Sequence, residues 1–196
     1  MRHRTHIFLY VGILLLFGLC SISHAFTLLT KDQALKSIFG KKSEIAVETR
    51  QLEGSIRKKV LEQLDGKLVY MQQGSESEAV ESTDTIDFYF ALKNGKKYGL
   101  AIIDIQPGKW GPVEFIVAMD LKGVVRSVKV MSYQEQRGRP IAHASFLRQY
   151  KGKSKKDSLE LGKDIIGVSG ATISSWCATF TVKKAVVLYE AFYLNK

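Results

Sequence analysis

Two segments with the periodicity of β-strands meet at Asn94-Gly95, near the middle of the chain. Large apolar side chains occupy every second position over residues 86–92, which is the pattern of a strand with one buried face. Asn-Gly favours the tight turn that joins antiparallel strands, so residues 98–105 are expected to return beside the first strand. Two further alternating segments predict a second hairpin, from residues 113–119 and 124–131. The chain is therefore expected to build a twisted antiparallel sheet.

Helical patterns lie on both sides of the sheet segments. Periodicity and terminal signals, including a capping box at Thr30, predict four helices, at residues 30–40, 52–64, 140–152 and 169–194. Short strands are also predicted at residues 45–49, 67–71 and 164–168. The long last helix is expected to bury a stripe formed by Ala178, Val182, Ala185, Val186, Tyr189 and Phe192. The predicted fold class is α+β, with helices packed on the sheet, and residues 26–196 are expected to form one domain.

The first 25 residues have the three parts of a secretory signal peptide. Basic residues open the segment, residues 7–19 form an apolar run, and Ser23 and Ala25 are small, as signal peptidase requires. Cleavage is expected before Phe26. An uncleaved anchor is the alternative, because the apolar segment extended to Phe26 is long enough to cross a bilayer. In both cases the body of the protein is expected to be exported and to be periplasmic or otherwise extracytoplasmic.

The net charge is strongly basic. The chain carries 29 Lys and Arg against 19 Asp and Glu, a formal charge of +10, which loss of Arg2 and Arg4 with the signal lowers to +8. Such a charge suits nucleic acid, an anionic membrane surface or an anionic ligand. We expect no nucleic acid as partner, since the chain has no nucleic-acid motif and its expected compartment holds none. Seven basic residues fall close together: Arg137, Arg139, Arg148, Lys151, Lys153, Lys155 and Lys156.

The remaining residue types exclude several kinds of site. After residue 25 the chain keeps one Cys, Cys177, and one His, His143, which can form neither an internal disulfide nor a zinc site. The acidic segment 76–84 lacks the spacing of a calcium loop, so no metal site is predicted. Walker A and dinucleotide fingerprints are absent. No His follows Ser169, as a serine hydrolase with its nucleophile there would require.

The segment Ser169-Gly170-Ala171-Thr172 has two interpretations. Either Ser169 or Thr172 is expected at the N-terminus of the last helix, where free N–H groups and the helix dipole suit a phosphate. The simpler interpretation is that Ser169 caps the helix and does nothing else. Spacing alone does not decide between them.

The same four residues resemble the flavinylation motif of the FMN-binding domain family, which includes the covalent-flavin subunits of the sodium-translocating NADH:quinone oxidoreductase and Rnf complexes. The resemblance covers residues 97–196 and is supported by three blocks in the family's order, residues 109–115, 133–140 and 146–153. It implies that Thr172 carries FMN through a phosphoester made by an FAD-dependent FMN transferase.

The resemblance also implies contacts around the flavin. Gly170 and Ala171 would leave room for the cofactor, and Glu135 would bond a flavin edge or pair with a nearby Arg. The phosphate would suit Arg137, Arg139 or Arg148, which are otherwise a solvated basic loop. Trp110 and Trp176 offer aromatic faces for the flavin ring, although Trp176 has an equal alternative as a core residue. These contacts are expectations from the family.

One position departs from the family pattern. An acidic residue usually lies six positions before the modified Thr, and here that position is Ile166, with Asp164 eight positions before. Non-covalent FMN is therefore kept as an alternative. The predicted function is an exported flavoprotein that carries electrons for extracytoplasmic or membrane redox proteins, rather than a stand-alone enzyme. A non-redox basic module that binds anionic lipid or cell-envelope polymer is the other alternative.

Overall fold

The computed structural model describes residues 26–70, 83–133 and 139–194 and centres on a six-stranded antiparallel sheet. The strands are β1 (Phe26–Thr27), β2 (Glu44–Gln51), β3 (Thr85–Lys93), β4 (Lys96–Pro107), β5 (Pro112–Met119) and β6 (Val125–Tyr133). Their spatial order is β1-β6-β5-β4-β3-β2, so the four central strands form a meander. The α+β prediction and both predicted hairpins are confirmed.

The first hairpin has the turn that its sequence favours. Lys93 pairs with Lys96, and the two residues between them, Asn94 and Gly95, have φ angles of 52° and 72°. Both angles lie in the left-handed region that a type I′ turn requires and that Asn and Gly tolerate best. The turn therefore sets the pairing of the residues next to it, and a bulge between Ala91 and Leu92 shifts the register of the rest of β3 against β4.

Helices cover both faces of the sheet. They are α1 (Lys31–Phe39), α2 (Gly54–Gln63), α3 (Ala144–Leu147) and α4 (Thr172–Tyr189), and a π-helical turn, Glu190–Leu194, continues α4. Thr30 and Gln33 form the predicted capping box at the start of α1. The larger core packs α4 and α2 against one face of the sheet, and a smaller core packs α1 against the other.

The predicted helix over residues 140–152 is wrong. The chain forms a 3-10 turn, Arg139–Ala142, then α3, then a second 3-10 turn, Arg148–Tyr150. His143 separates the first two elements because its backbone is extended, with φ −68° and ψ 136°. At the far end, backbone hydrogen bonds join Gly152 and Lys153 to Val125 at the start of β6, which turns the chain away from a helical path.

Two predicted short strands are also wrong. Over the described residues 67–70 the chain makes bends, and Tyr70 donates its N–H to the side chain of Gln106 at 2.7 Å instead of to a strand. Met71 lies outside the described residues. Residues 164–168 form turns and loop, because the Asp164 carboxylate accepts the N–H groups of Leu159 and Glu160 and closes a local turn.

The last helix begins three residues later than predicted. Thr172 is its first residue and Ala171 its N-cap, so of the two expected starts Thr172 is confirmed and Ser169 is wrong. The predicted stripe is buried except for Phe192, which is half-buried, and burial extends around most of the helix. A helix packed on several sides holds its N-terminus in a fixed place on the domain.

Within the described part of the chain, no helix is long and apolar enough to cross a membrane. The predicted signal segment, residues 1–25, lies outside that part.

Candidate functional site

The loop between β4 and β5 presents one of the two predicted tryptophans. Pro107 pairs with Pro112 across the end of the hairpin, and the Gly108 N–H donates to the Gly111 carbonyl at 2.8 Å. This short turn leaves the Trp110 side chain at the surface, 43% exposed. An exposed Trp held by a rigid turn is a ready contact for a flat ligand.

The turn that leads into α4 forms the other side of the candidate site, opposite the β4–β5 loop. Gly170 has φ +78°, a conformation that favours glycine, and a Cβ added there would meet no atom within 4 Å. The Ala171 N–H donates to the Val168 carbonyl at 3.0 Å, which closes the turn. Thr172 follows as the exposed first residue of the helix. Its side chain is therefore open to solvent.

A buried serine holds this turn against the helix. The Ser175 hydroxyl accepts the Val168 N–H at 3.0 Å and donates to the Ala171 carbonyl at 2.9 Å. The Ala171 N-cap makes no side-chain capping hydrogen bond. The helix thus begins with N–H groups that have no acceptor inside the helix, and the positive end of its dipole faces the surface beside Thr172.

One buried contact ties the helix to the hairpin. Cys177 is completely buried, and its thiol donates to the Pro107 carbonyl with the sulfur 3.0 Å from the oxygen. This contact joins the second turn of α4 to the residue that begins the Trp110 loop. Cys177 is thus a small buried side chain of the core.

The loop and the helix N-terminus enclose a common pocket of about 250 Å³. It is lined by Lys109, Trp110, Gly170, Ala171, Thr172, Ile173 and Ser174. Lys109 is the one charged residue among the described residues of this lining, and its Nζ lies 4.7 Å from the centre of the Trp110 ring. A hydroxyl, a cation, a helix N-terminus and an aromatic face therefore converge within one pocket.

Comparison with known families assigns this part of the chain. Residues 108–187 match the family model described as the FMN-binding domain, and this span includes every residue of the pocket lining. Residues 108–187 belong to the FMN-binding domain family. FMN is accordingly the cofactor of this domain.

Two curated proteins are similar to the chain. The first, from Aliivibrio fischeri, is a subunit of an ion-translocating oxidoreductase complex, 30% identical over 58% of this chain and 60% of its own length. The second, from Clostridium ljungdahlii, is a subunit of a proton-translocating ferredoxin:NAD(+) oxidoreductase complex, 33% identical over 54% of this chain and 61% of its own length. The chain thus aligns with about three fifths of the length of each relative.

The pocket residues of the FMN-binding domain fit the two ends of FMN. A phosphate suits the uncapped N-terminus of α4 and the Lys109 ammonium, since both place positive charge beside the Thr172 hydroxyl. Trp110 offers an aromatic face beside the same hydroxyl. The absence of a side chain on Gly170 leaves the approach open. The residues of the pocket are therefore compatible with the cofactor that the family match indicates.

The other predicted cofactor contacts either lie outside the pocket lining or belong to residues that the structure does not describe. Trp176 stacks on Tyr70, with ring centres 5.7 Å apart and planes 6° apart, and lines a different cavity. Arg148 also lines a different groove, and Ser169 is exposed but outside the pocket lining. Glu135 and Arg137 lie outside the described residues, as does the side chain of Arg139.

The Asp164 carboxylate is engaged in hydrogen bonds and an ion pair within the FMN-binding domain. Its carboxylate accepts two backbone N–H groups and pairs with Lys153 at 3.0 Å. Burial alone would raise the pKa of Asp164, but the hydrogen bonds from Glu160 and Lys153 outweigh it and lower the pKa. Asp164 therefore remains ionised and engaged in the loop, and does not replace the acidic residue that the family usually has at the position of Ile166.

Three of the described residues line the pocket without being among the predicted site residues: Ile173, Ser174 and Lys109. Lys109 is the one most distant from Thr172 in the chain. It is more than 60 positions from Thr172 in the chain, and only the packing of the β4–β5 loop on α4 brings the two together. Its neighbour Trp110 was the available signal, because a cation and an aromatic residue at the tip of a rigid loop are a common ligand contact.

Proposed function

We propose that the protein is an exported electron carrier whose FMN is joined to Thr172 by a phosphoester bond. The proposal rests above all on the position of Thr172, an exposed hydroxyl at the uncapped N-terminus of α4 and in the same pocket as Lys109 and Trp110. The position supports a phosphoester because the phosphate would retain a negative charge at the point where the helix and Lys109 supply positive charge.

The attachment reaction needs a second protein. An FAD-dependent FMN transferase would present FAD, and the Thr172 oxygen would attack the phosphorus on the FMN side. The phosphoanhydride bond breaks, AMP leaves, and the hydroxyl proton is released. Because the exposed face of Thr172 is open to solvent, the transferase can reach it without unfolding the helix.

Bound FMN supplies one- and two-electron redox chemistry. The residues of the pocket would position the cofactor. The N-terminus of α4 and Lys109 would hold its phosphate, and Trp110 would contact its flavin ring. Lys109 is the one charged residue among the described residues of the lining, and we assign it to the phosphate of FMN rather than to a substrate. These features support a carrier that passes electrons between other redox groups.

The relatives suggest the setting. Their names place them in ion- or proton-translocating oxidoreductase complexes, and translocation of ions implies a membrane. Together with the predicted signal or anchor at residues 1–25, this supports an extracytoplasmic location beside a membrane redox complex. We propose that members of such a complex are the electron donor and acceptor.

Non-covalent FMN is the second candidate, and Ile166 is the observation that favours it. This residue stands where the family usually has an acid, and it is 78% exposed. A transferase that requires a carboxylate there would leave Thr172 unmodified, and the same pocket would then hold FMN by charge and aromatic contact alone.

One expression experiment separates the candidates. The full chain is produced in an exporting host together with the transferase, and its visible spectrum is taken before and after denaturation and gel filtration. We expect flavin absorbance to stay with the denatured chain. Colour that separates on denaturation supports non-covalent FMN, and a colourless protein contradicts both candidates.

Two matched variants test the attachment residue. Thr172→Val keeps the shape of the side chain and removes the hydroxyl, so we expect attachment to be lost without loss of the fold. Ser55→Ala removes an exposed hydroxyl on α2, outside the pocket lining and outside the motif at residues 169–172, and should leave attachment unchanged. Covalent flavin that persists in Thr172→Val would show that the proposed site is wrong.

A further inference from the structure

A second groove lies where the first described residues run along β6. Leu28 and Leu29 both donate their N–H groups to the Met131 carbonyl, at 2.8 and 3.0 Å. Beyond them opens a groove of about 480 Å³. It shares no residue with the lining of the pocket at Thr172. The proposed attachment of FMN therefore makes no use of it.

The groove combines apolar walls with a rim of cations. Its apolar lining comes from Leu28, Leu29, Val128, Val130, Ala142, Ala144 and Leu147. Its cations are Arg126, Lys129, Arg148 and Lys151. No acidic residue belongs to the lining among the described residues. A site of this composition suits a ligand that has an anionic head and an apolar body.

Most of these cations have no acidic neighbour within ion-pair distance in the described structure. Arg126 pairs with Asp120, at the edge of the groove. Over residues 26–70, 83–133 and 139–194, Lys129, Arg148 and Lys151 form no ion pair. In contrast, Lys153 and Lys155, a few positions further on, are paired with acids of the fold. Three cations that form no ion pair in the described structure therefore line the groove, whereas Lys156, which forms none either, lies outside its lining.

The position of the groove points toward a membrane. Leu28, which lines the groove with the cations, is 45% exposed, and Phe26, two residues earlier in the chain, is 52% exposed. In the sequence, the apolar run of residues 7–19 ends shortly before, and the six intervening residues can span at most about 21 Å. In the alternative in which that run stays as an uncleaved anchor in the bilayer, the groove is within reach of the lipid headgroups.

We propose that this groove binds the headgroups of anionic phospholipids and so holds the domain against the membrane surface. The phosphate contacts the Lys129, Arg148 and Lys151 side chains, and the upper part of the acyl chains contacts Leu28 and Leu29. This binding requires neither flavin nor its transferase, and it adds a second contact to any anchor formed by residues 1–25.

The proposal is tested on the full chain in lipid nanodiscs of two compositions, phosphatidylcholine alone and phosphatidylcholine with phosphatidylglycerol. The measured quantity is the rate at which a water-soluble reagent acetylates individual lysines. We expect phosphatidylglycerol to slow acetylation of Lys129 and Lys151 by about fivefold and high salt to reverse the effect. Lys58 and Lys59, exposed on α2, are the internal reference and should not change.

Variants at the rim distinguish the groove from general attraction. Arg148→Glu should abolish the protection of Lys129, and the milder Arg148→Gln should reduce it, while Lys58→Glu should leave it intact. Equal acetylation rates in both lipid compositions would overturn the proposal. Protection by inorganic phosphate in neutral nanodiscs, as strong as that by phosphatidylglycerol, would also overturn it and indicate a free-phosphate site.

Discussion

The side-chain amide of Gln149 forms two hydrogen bonds with the backbone of Ile166. Its oxygen accepts the Ile166 N–H at 2.8 Å, and its nitrogen donates to the Ile166 carbonyl at 3.0 Å. The pair fixes the backbone six residues before Thr172 while the Ile166 side chain remains 78% exposed. The side chain at this position can therefore change without disturbing the turn that leads to Thr172.

This geometry makes Ile166→Asp an informative variant. The stability of the domain should change by no more than about 0.5 kcal/mol, because an exposed side chain is replaced. We expect a larger fraction of chains to carry flavin when the variant is produced with the transferase, measured as flavin absorbance per chain after denaturation. Ile166→Asn is the neutral control of the same size. Equal flavin content in all three proteins would show that the transferase does not use an acid here.

Trp110 is expected to contact the flavin ring. Trp110→Ala should raise the fluorescence of bound flavin, because a stacked indole quenches it, and should leave the melting temperature nearly unchanged for a side chain that is 43% exposed. Trp176→Phe is the matched control. Its altered stacking on Tyr70 should lower stability by about 0.5–1.5 kcal/mol without changing flavin fluorescence. The reverse pattern would place the ring at Trp176.

A buried ion pair fixes α4 on the sheet. Lys184 lies 2.6 Å from Asp104, and both side chains are about one-tenth exposed. Asp104→Leu should destabilise the domain by about 3–5 kcal/mol in urea unfolding, because it leaves the Lys184 charge buried without this carboxylate. Asp104→Leu with Lys184→Met should recover most of that loss. Failure of the double variant to recover stability would mean that the carboxylate acts chiefly through Thr181 and Gln106.

Much of this architecture is predictable from local sequence signals. Asn94-Gly95 and the alternation around it predict a hairpin, and Thr30 with Gln33 predicts the start of α1, because these signals act over a few residues. Local signals do not fix the start of α4, because they leave Ser169 and Thr172 as alternatives. Ser169 has the chemistry of an N-cap, but the fold uses the buried Ser175 hydroxyl to close the turn.

In the candidate site, too, some residues can be predicted from local sequence and others only from the tertiary structure. The motif at residues 169–172 identifies Thr172, whereas the approach of Lys109 depends on the packing of a distant loop. The sequence of the basic segment, taken alone, also suggests that all of its charges are available to bind a ligand. Lys153 bonds Asp157 and Asp164, and Lys155 bonds Glu190, so these charges serve the fold. Lys155 and Glu190 are 35 positions apart, so that pair can be recognised only from the tertiary structure.

Asp164 makes the stability of the domain depend on pH. Its folded-state pKa is lowered, so its contribution is complete above the unfolded value near 3.9 and is lost as the pH falls through the folded value. Asp164→Asn should destabilise by about 1–3 kcal/mol at neutral pH, since buried N–H groups lose a charged acceptor. The difference from the original protein should shrink below pH ~3.9 in urea unfolding.

An exposed carboxylate supplies the control for that experiment. Asp32 pairs only with Lys36 in the described structure, and its side chain is 71% exposed. Asp32→Asn should therefore change stability by less than about 0.5 kcal/mol at every pH. A pH-independent deficit in Asp164→Asn would indicate that its effect arises from loop geometry rather than from ionisation.

Covalent attachment of FMN at Thr172 can be read from the mass of the peptide that contains this residue. The full chain is produced with the transferase, exported, denatured and digested, and the peptide is fragmented in a mass spectrometer. We predict a mass increased by that of FMN less one water, with the added mass on Thr172. An unmodified Thr172 in a protein that keeps its colour after denaturation, or the added mass on another residue, would show that Thr172 is not the attachment residue.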